Sequence, residues 1–448
     1  MLSNTPKYDG QKSLFFSLAD TLNANHPLYK LAEKIDWKFF EEEFKPLYKD
    51  NKGRPAKPIR LMCGLLILKH LRNLSDESVV EQYSENAYYQ YFCGEAEFQT
   101  SQPCDASELV HFRNRIGEDG IEKILKESIR VNDDHTNDEN NRLAFIDSTV
   151  QEKNITYPTD AKLHKKIIKK CWSIVQSEGL KIRQSYKRKI KSLCRDQRFR
   201  NHPKNRQKAL KADKKMRTIA GRLVRELERI LSQKAKGRYQ DFLDTATKVI
   251  AQRRTTKDKI YSLHEPEVQC ISKGKEHKKY EFGNKVSIIR SITGIILGAL
   301  SFRNEYDGHT IEKSLEQSKK LTGDDIKELA GDRGYRGSKL VGVTKILIPG
   351  VPLKSDSRYQ RKKKSELFCK RASIEPTIGH LKSDYRLGRN FYKGLRGDSI
   401  NVMLAVAAYN FKRAMKVLLD LFKNVVRGLS PTTDYCSLPL NVTFLRAD

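Results

Sequence analysis

The sequence predicts an α/β protein: a helical N-terminal region, then a mixed sheet whose strands are separated by a long basic helical stretch. Three observations carry that prediction. Apolar residues recur at helical spacing through much of the first 131 positions. Residues 143–150, Leu-Ala-Phe-Ile-Asp-Ser-Thr-Val, are a short run rich in β-formers, and such runs return at 280–289, 292–301 and 344–348. Between the first run and the second, residues 161–260 hold 32 Lys and Arg against eight acids, a surplus of 24 in a chain of net charge +31.

A chain of 448 residues exceeds the usual single-domain size, so two or three domains are expected. The pattern divides it into a helical domain over 1–131, a sheet domain over 142–424 with the basic stretch 161–260 inside it, and a tail over 425–448. With 86 Lys and Arg against 55 Asp and Glu, the partner should be a polyanion, nucleic acid before anionic membrane. A membrane span is not supported, because 61–71 is too short and 286–300 contains Arg290. The first twenty residues include Asp9 and Asp20 and lack the basic-then-apolar order of a secretory signal, which points to the cytoplasm. Eight cysteines without a Cys-x-x-Cys pair suggest neither a zinc site nor a disulfide framework.

In order, residues 28–43 read as one amphipathic helix with Trp37, Phe39 and Phe40. Pro55 and Pro58 suit the entry of a helix over 59–71, and Ser75 to Ser78 can cap the next one. A third starts after Pro103, capped by Asp105 or Ser107, with Arg113 and Arg115 off its apolar face as candidate DNA contacts. Residues 132–141, crowded with Asp and Asn, read as a linker. The basic stretch keeps a helical period at Leu163, Ile167, Ile168, Trp172 and again at Met216, Ile219, Leu223, Leu227, so its cations face outward from packed helices. Residues 280–289 and 292–301 read as a hairpin about Thr293-Gly294. A helix over 311–321, a strand at 344–348, a basic loop at 358–364 and helices over 370–382 and 400–423 complete the chain.

Three acids stand in settings that ask for a chemical reason. Asp147 is the one ionisable residue of an apolar strand, costly to bury without a cation. Asp332 precedes Arg333-Gly334-Tyr335-Arg336-Gly337, whose glycines allow sharp turns and close approach of backbone and whose Arg336 is a candidate DNA contact. Glu375 precedes Pro376 at a helix entry, with Arg371 four residues before it and Lys382 seven after, placed to hold phosphates. Hard oxygen ligands without a Cys or His cluster select Mg2+, or Mn2+ in its place, and two such ions serve phosphodiester chemistry. Asp307, in Tyr306-Asp307-Gly308-His309-Thr310, is the rival second carboxylate, though its context reads as a turn.

Taken together, Phe145-Ile-Asp147-Ser-Thr149, Tyr306-Asp307-Gly308-His309-Thr310, Gly331-Asp332-Arg333-Gly334-Tyr335 and Arg371-x-x-x-Glu375 with six residues before Lys382 resemble bacterial insertion-sequence transposases of the Asp-Asp-Glu type, specifically the insertion-sequence-five family. The resemblance covers 55–117 as the family's helical domain and 144–409 as its catalytic domain. It implies a ribonuclease-H-like fold in which Asp147, Asp332 and Glu375 bind two Mg2+ ions, and a transposase that binds the terminal inverted repeats of its element, cuts them and joins them to target DNA. It also implies a homodimer on DNA and a prokaryotic, nucleoid-associated enzyme. Arg371, Glu375 and Lys382 match a Tyr-Arg-Glu-Lys signature whose tyrosine place is Phe368 here, while Tyr157-Pro158-Thr159-Asp160 is similar to the family as well, Asp160 as a structural residue. A two-metal nuclease that does not join, and a DNA-binding relic or repressor, are the alternative readings.

Overall fold

The computed structural model describes residues 17–49, 55–132, 143–253, 255–272, 278–337, 339–350 and 355–429. The predicted linker, Asn132 apart, and most of the predicted tail lie outside them. Most N-terminal helices begin where a side chain satisfies an unpaired N–H group, whereas Ile59–Leu71 starts after Pro58 without a side-chain cap. The stretch expected as one helix is two, Pro27–Lys34 and Trp37–Phe44, because Asp36 takes the cap position and accepts from the Phe39 N–H at 3.1 Å. Ser75 caps Asp76–Glu85, and Asp105 with Glu108 forms a capping box at the start of Ala106–Arg130. Gly117, at φ 65°, kinks that last helix.

Among the described residues, eight strands make one mixed sheet: β1 (Leu143–Lys153), β2 (Gln269–Ser272), β3 (Tyr280–Ser291), β4 (Ile296–Phe302), β5 (Glu328–Ala330), β6 (Leu340–Val341), β7 (Thr344–Leu347) and β8 (Arg389–Asn390). β1 is the axis. Along one side it pairs antiparallel with β3 from Ala144 to Glu152. On the other side, among the described residues, it is paired only at its ends, parallel to β5 over 143–145 and to β8 over 152–153. The stretch 146–151 therefore faces a notch in the sheet. The expected hairpin is β3–β4, turning at Gly294 with φ 102°. Close approach of β1 and β3 requires Gly283, since a Cβ there would stand 1.9 Å from the Gln151 carbonyl oxygen.

One hydrophobic core runs from Leu28, Phe40 and Leu65 of the N-terminal helices through Ile146, Ile289 and Leu329 of the sheet to Val402, Val406 and Phe411 of the helix Gly394–Leu429. That helix starts six residues before, and ends six residues after, the stretch expected from sequence. The basic stretch has a core of its own. Asp160–Ser177, Lys187–Asp196, Pro203–Ile230 and Gln233–Ala251 pack through Ile167, Ile168, Met216, Ile219, Leu223 and Leu243. Residues 358–364, expected as a loop, open the helix Arg358–Arg371 instead; it buries no residue and so shows no apolar stripe, and a Ser357–Gln360 capping box starts it. No helix among the described residues is long and apolar enough to cross a membrane.

Buried charges tie the far end of β1 to its surroundings. Lys153 Nζ lies 2.7 Å from Asp398 Oδ1 and 3.5 Å from Glu265 Oε2. Asp398 also accepts from Arg303 and, at 2.7 Å, from Asn390 Nδ2.

Candidate active site

The three acids reach one place through the sheet's register. Strand alternation puts Phe145 and Asp147 on the same side of β1, and Phe145 packs with Ala330 and Ile374 in a small apolar cluster. Each of those three residues lies one or two positions before an acid. Phe145 is level with Ala330 in the parallel β1–β5 pair, so Gly331 and Asp332 continue beside Ile146 and Asp147. There Asp332 caps the short turn Arg333–Tyr335, its Oδ1 accepting from the Gly334 N–H at 2.8 Å. A Cβ at Gly334 would stand 2.9 Å from that oxygen, which explains the glycine. Glu375 sits in the first turn of Ile374–Asp384, a helix held to the sheet by Arg290 Nη1, which donates to Ser373 Oγ at 2.7 Å. The predicted helix over 370–382 is thus the end of one helix and most of another, broken at Ala372-Ser373.

Arg371 lies between two of the carboxylates, 3.6 Å from Asp147 Oδ2 and 3.7 Å from Glu375 Oε1. Its buried Nη1 has no hydrogen-bond partner among the described residues. Asp147 and Arg371 side chains are 16% and 14% exposed, whereas Glu375 is 67% exposed and open to an incoming molecule. Burial pushes the Asp147 carboxyl above the usual range, and the negative charges of Asp332 and Glu375 push the same way, against the Ser148 N–H and Arg371. The three acids share one electrostatic field. They are neighbours and not a closed cage: among the described residues no three His, Cys, Asp or Glu are grouped to enclose a metal ion.

Asp307 opens the turn Asp307–Thr310, in keeping with its turn-like sequence, but its carboxylate does more. It accepts from Lys285 Nζ at 2.8 Å and from Ser148 Oγ at 2.9 Å, one residue from Asp147. Sequence reasoning missed Lys285 and Arg290 entirely; both lie on β3, and only the antiparallel register brings them to the site. Tyr335 is buried below it, its phenol pushed up first by burial and then by the charges of Asp307, Asp147 and Asp332.

The expected DNA contacts divide. Arg336 is exposed just beyond Asp332, and Lys382 is half-buried two turns along from Glu375 on the same helix. Phe368 is half-buried on the preceding helix. Arg115 is exposed, over the Tyr48 ring at 4.3 Å. Arg113 is not on a surface at all: it is 5% exposed, holds both oxygens of Asp76 at 2.9 and 3.1 Å, and stacks over Tyr392. A counter-charge 37 positions away in the chain draws it inside. Asp160 stands in the first turn of its helix, where its charge complements the helix dipole.

Comparison with known proteins adds the family. A model described as a transposase DDE domain matches residues 127–411, and one described as a transposase domain (DUF772) matches 16–115. The chain is 40% identical over 185 residues to an uncharacterized protein, ORF8 in the nfe locus of Rhizobium meliloti, covering 41% of this chain and 89% of that one. No solved structure matches.

Proposed function

Because the chain belongs to the transposase DDE domain family, we propose that it binds the terminal inverted repeats of an insertion sequence, cuts at their boundaries and joins the freed ends to target DNA, with Asp147, Asp332 and Glu375 as its catalytic carboxylates. The observation that carries this reading is the notch beside β1, to which β1, the turn after β5 and the helix Ile374–Asp384 each bring one acid. The central β1 between antiparallel β3 and parallel β5 supports a ribonuclease-H-like sheet. Likeness to the insertion-sequence-five group belongs to the same reading.

The donor set fits divalent magnesium. All three groups are hard oxygen donors, and a cation would offset both the burial that chiefly raises Asp147 and the added repulsion from Asp332 and Glu375. Asp147, Asp332 and Glu375 would hold Mg2+, or Mn2+ in its place, and when bound such ions supply Lewis-acid polarisation of the scissile phosphate and the attacking oxygen. Arg371 keeps Asp147 and Glu375 together against their mutual repulsion. Arg336, Lys382 and Arg115 offer charge to phosphates, while Arg113 serves the interior. The helices before residue 132 and the basic module 161–260 are the proposed DNA-binding parts. A homodimer assembled on two element ends, in the nucleoid of a prokaryotic cell, completes the proposal.

The test is to incubate the purified chain with a labelled duplex carrying its element's terminal repeat, plasmid target, and magnesium or chelator, beside Asp332→Asn. Magnesium-dependent nicks at the repeat boundary, joined products and a dead variant are expected. Cutting without joining would reduce the activity to that of a nuclease, and binding without any cut strand would leave a DNA-binding relic. Binding itself should be steeply salt-dependent, since each phosphate met by the module's cations releases counterions. Neutralising six to ten phosphates would lower affinity by about 10³ to 10⁵ between 50 and 200 mM salt. A flat profile in a titration by fluorescence anisotropy would remove the module from the interface.

A further inference from the structure

Tyr157-Pro158-Thr159-Asp160 has two residues with evident structural roles: Thr159 caps the helix that begins at Asp160. Tyr157 serves neither. It is 59% exposed, its ring standing edge-on to Phe282 with centroids 5.4 Å apart, and Phe282 leans in turn on Tyr261 at 5.3 Å. Two residues before Phe282 on the same side of β3, Tyr280 is also exposed, with Lys279 near its ring. Tyr157, Tyr280 and Phe282 border a cleft of about 250 Å³ at the far end of β1, which Lys278 and the exposed Arg389 also line. Among the described residues that line the cleft, the one acid, Glu152, is paired with Lys278.

We propose that this cleft binds the bases of an unpaired DNA strand, a subsite distinct from the carboxylates. Aromatic faces held open to solvent beside several cations fit a polyanion that carries flat apolar rings. Stacking on an aromatic side chain tolerates any base, because every base has a π face, and the cations track the backbone. A closed duplex cannot use such a platform, since its bases already stack on one another. Position supports the same occupant. From Asp147 to Glu152 is five residues along β1, roughly 17 Å, or about five base steps at 3.4 Å. The segment also meets the catalytic helix: Gly388, in the cleft wall, lies so close to the Lys382 carbonyl that a Cβ would come within 2.6 Å. A strand that leaves the carboxylates past Lys382 arrives here.

The proposal rests on the transposase reading for the identity of the strand, and its test is separate from cleavage. The probe is a terminal-repeat duplex with a five-nucleotide 3′ single-stranded extension carrying 2-aminopurine at successive positions, mixed with the full chain in chelator. Quenching by the wild type and by Tyr157→Phe is expected, with quenching lost in Tyr157→Ala. The same variant should bind the extended duplex about tenfold more weakly and a blunt duplex unchanged. Equal quenching and affinity in Tyr157→Ala would overturn the subsite, even in a protein that cuts DNA normally. Tighter binding of the same extension made of RNA would overturn the assignment to DNA. Tyr157-dependent quenching in a protein that never cuts would uphold the subsite and sink the catalytic reading instead.

Discussion

Asp147→Asn is expected to lower strand cutting at least about a thousandfold, a loss of roughly 4 kcal/mol of transition-state stabilisation, while leaving binding to the element's ends unchanged. The carboxamide keeps the shape of the side chain and its contact with the Ser148 N–H, but not the charge. That charge is what the buried position would hold against solvent for a cation, since burial and the neighbouring Asp332 and Glu375 all act against it. Removing it relieves repulsion, so the melting temperature of the metal-free variant should equal or exceed that of the wild type. A dead enzyme with undiminished stability separates lost chemistry from lost folding. Cutting within tenfold of wild type would end the assignment. Pairing the change with Asp332→Asn should add little, because groups that act as one unit are not additive.

The second large effect is on stability. Asp398 is 1% exposed and receives Lys153, Arg303 and Asn390 at once, so Asp398→Ala leaves two cations without their main partner. Breaking a buried pair from one side costs about 3–5 kcal/mol. Asp398→Asn, which keeps the acceptor and removes the charge, should fall between. The chain has two tryptophans, one in each core, which gives a direct readout: Trp37 reports the main core and Trp172 packs against the basic module. In a Trp172→Phe background, urea unfolding followed by Trp37 fluorescence should shift strongly. A loss under about 1 kcal/mol would show that Glu265, 3.5 Å from Lys153, already suffices.

What could be read from sequence follows from where the information lies. Asp147 stood out because an acid in an apolar strand is locally anomalous, and the β3–β4 hairpin because its turn and alternation are local. The basic helices were visible in the spacing of Ile167, Met216 and Leu223. Arg358–Arg371 was missed because an exposed helix has no stripe, and its only strong signal was the Ser357–Gln360 cap. The break at Asp36 was missed because the apolar period continues across it. Arg113 was misplaced since its partner, Asp76, is on another helix. Lys285 and Arg290 needed the β1–β3 register, which no short-range pattern contains.

The order in which these parts leave the ribosome has a consequence. The module with its own core lies wholly within residues 160–263, whereas Glu375 is made 228 positions after Asp147, and the main core closes only when Val402–Phe411 is present. Glu375 follows residue 263 by 112 positions, which at roughly 5–20 residues per second is about 6–22 seconds. A nascent chain can thus display a folded, strongly cationic module, tethered to its own messenger, before the last carboxylate exists.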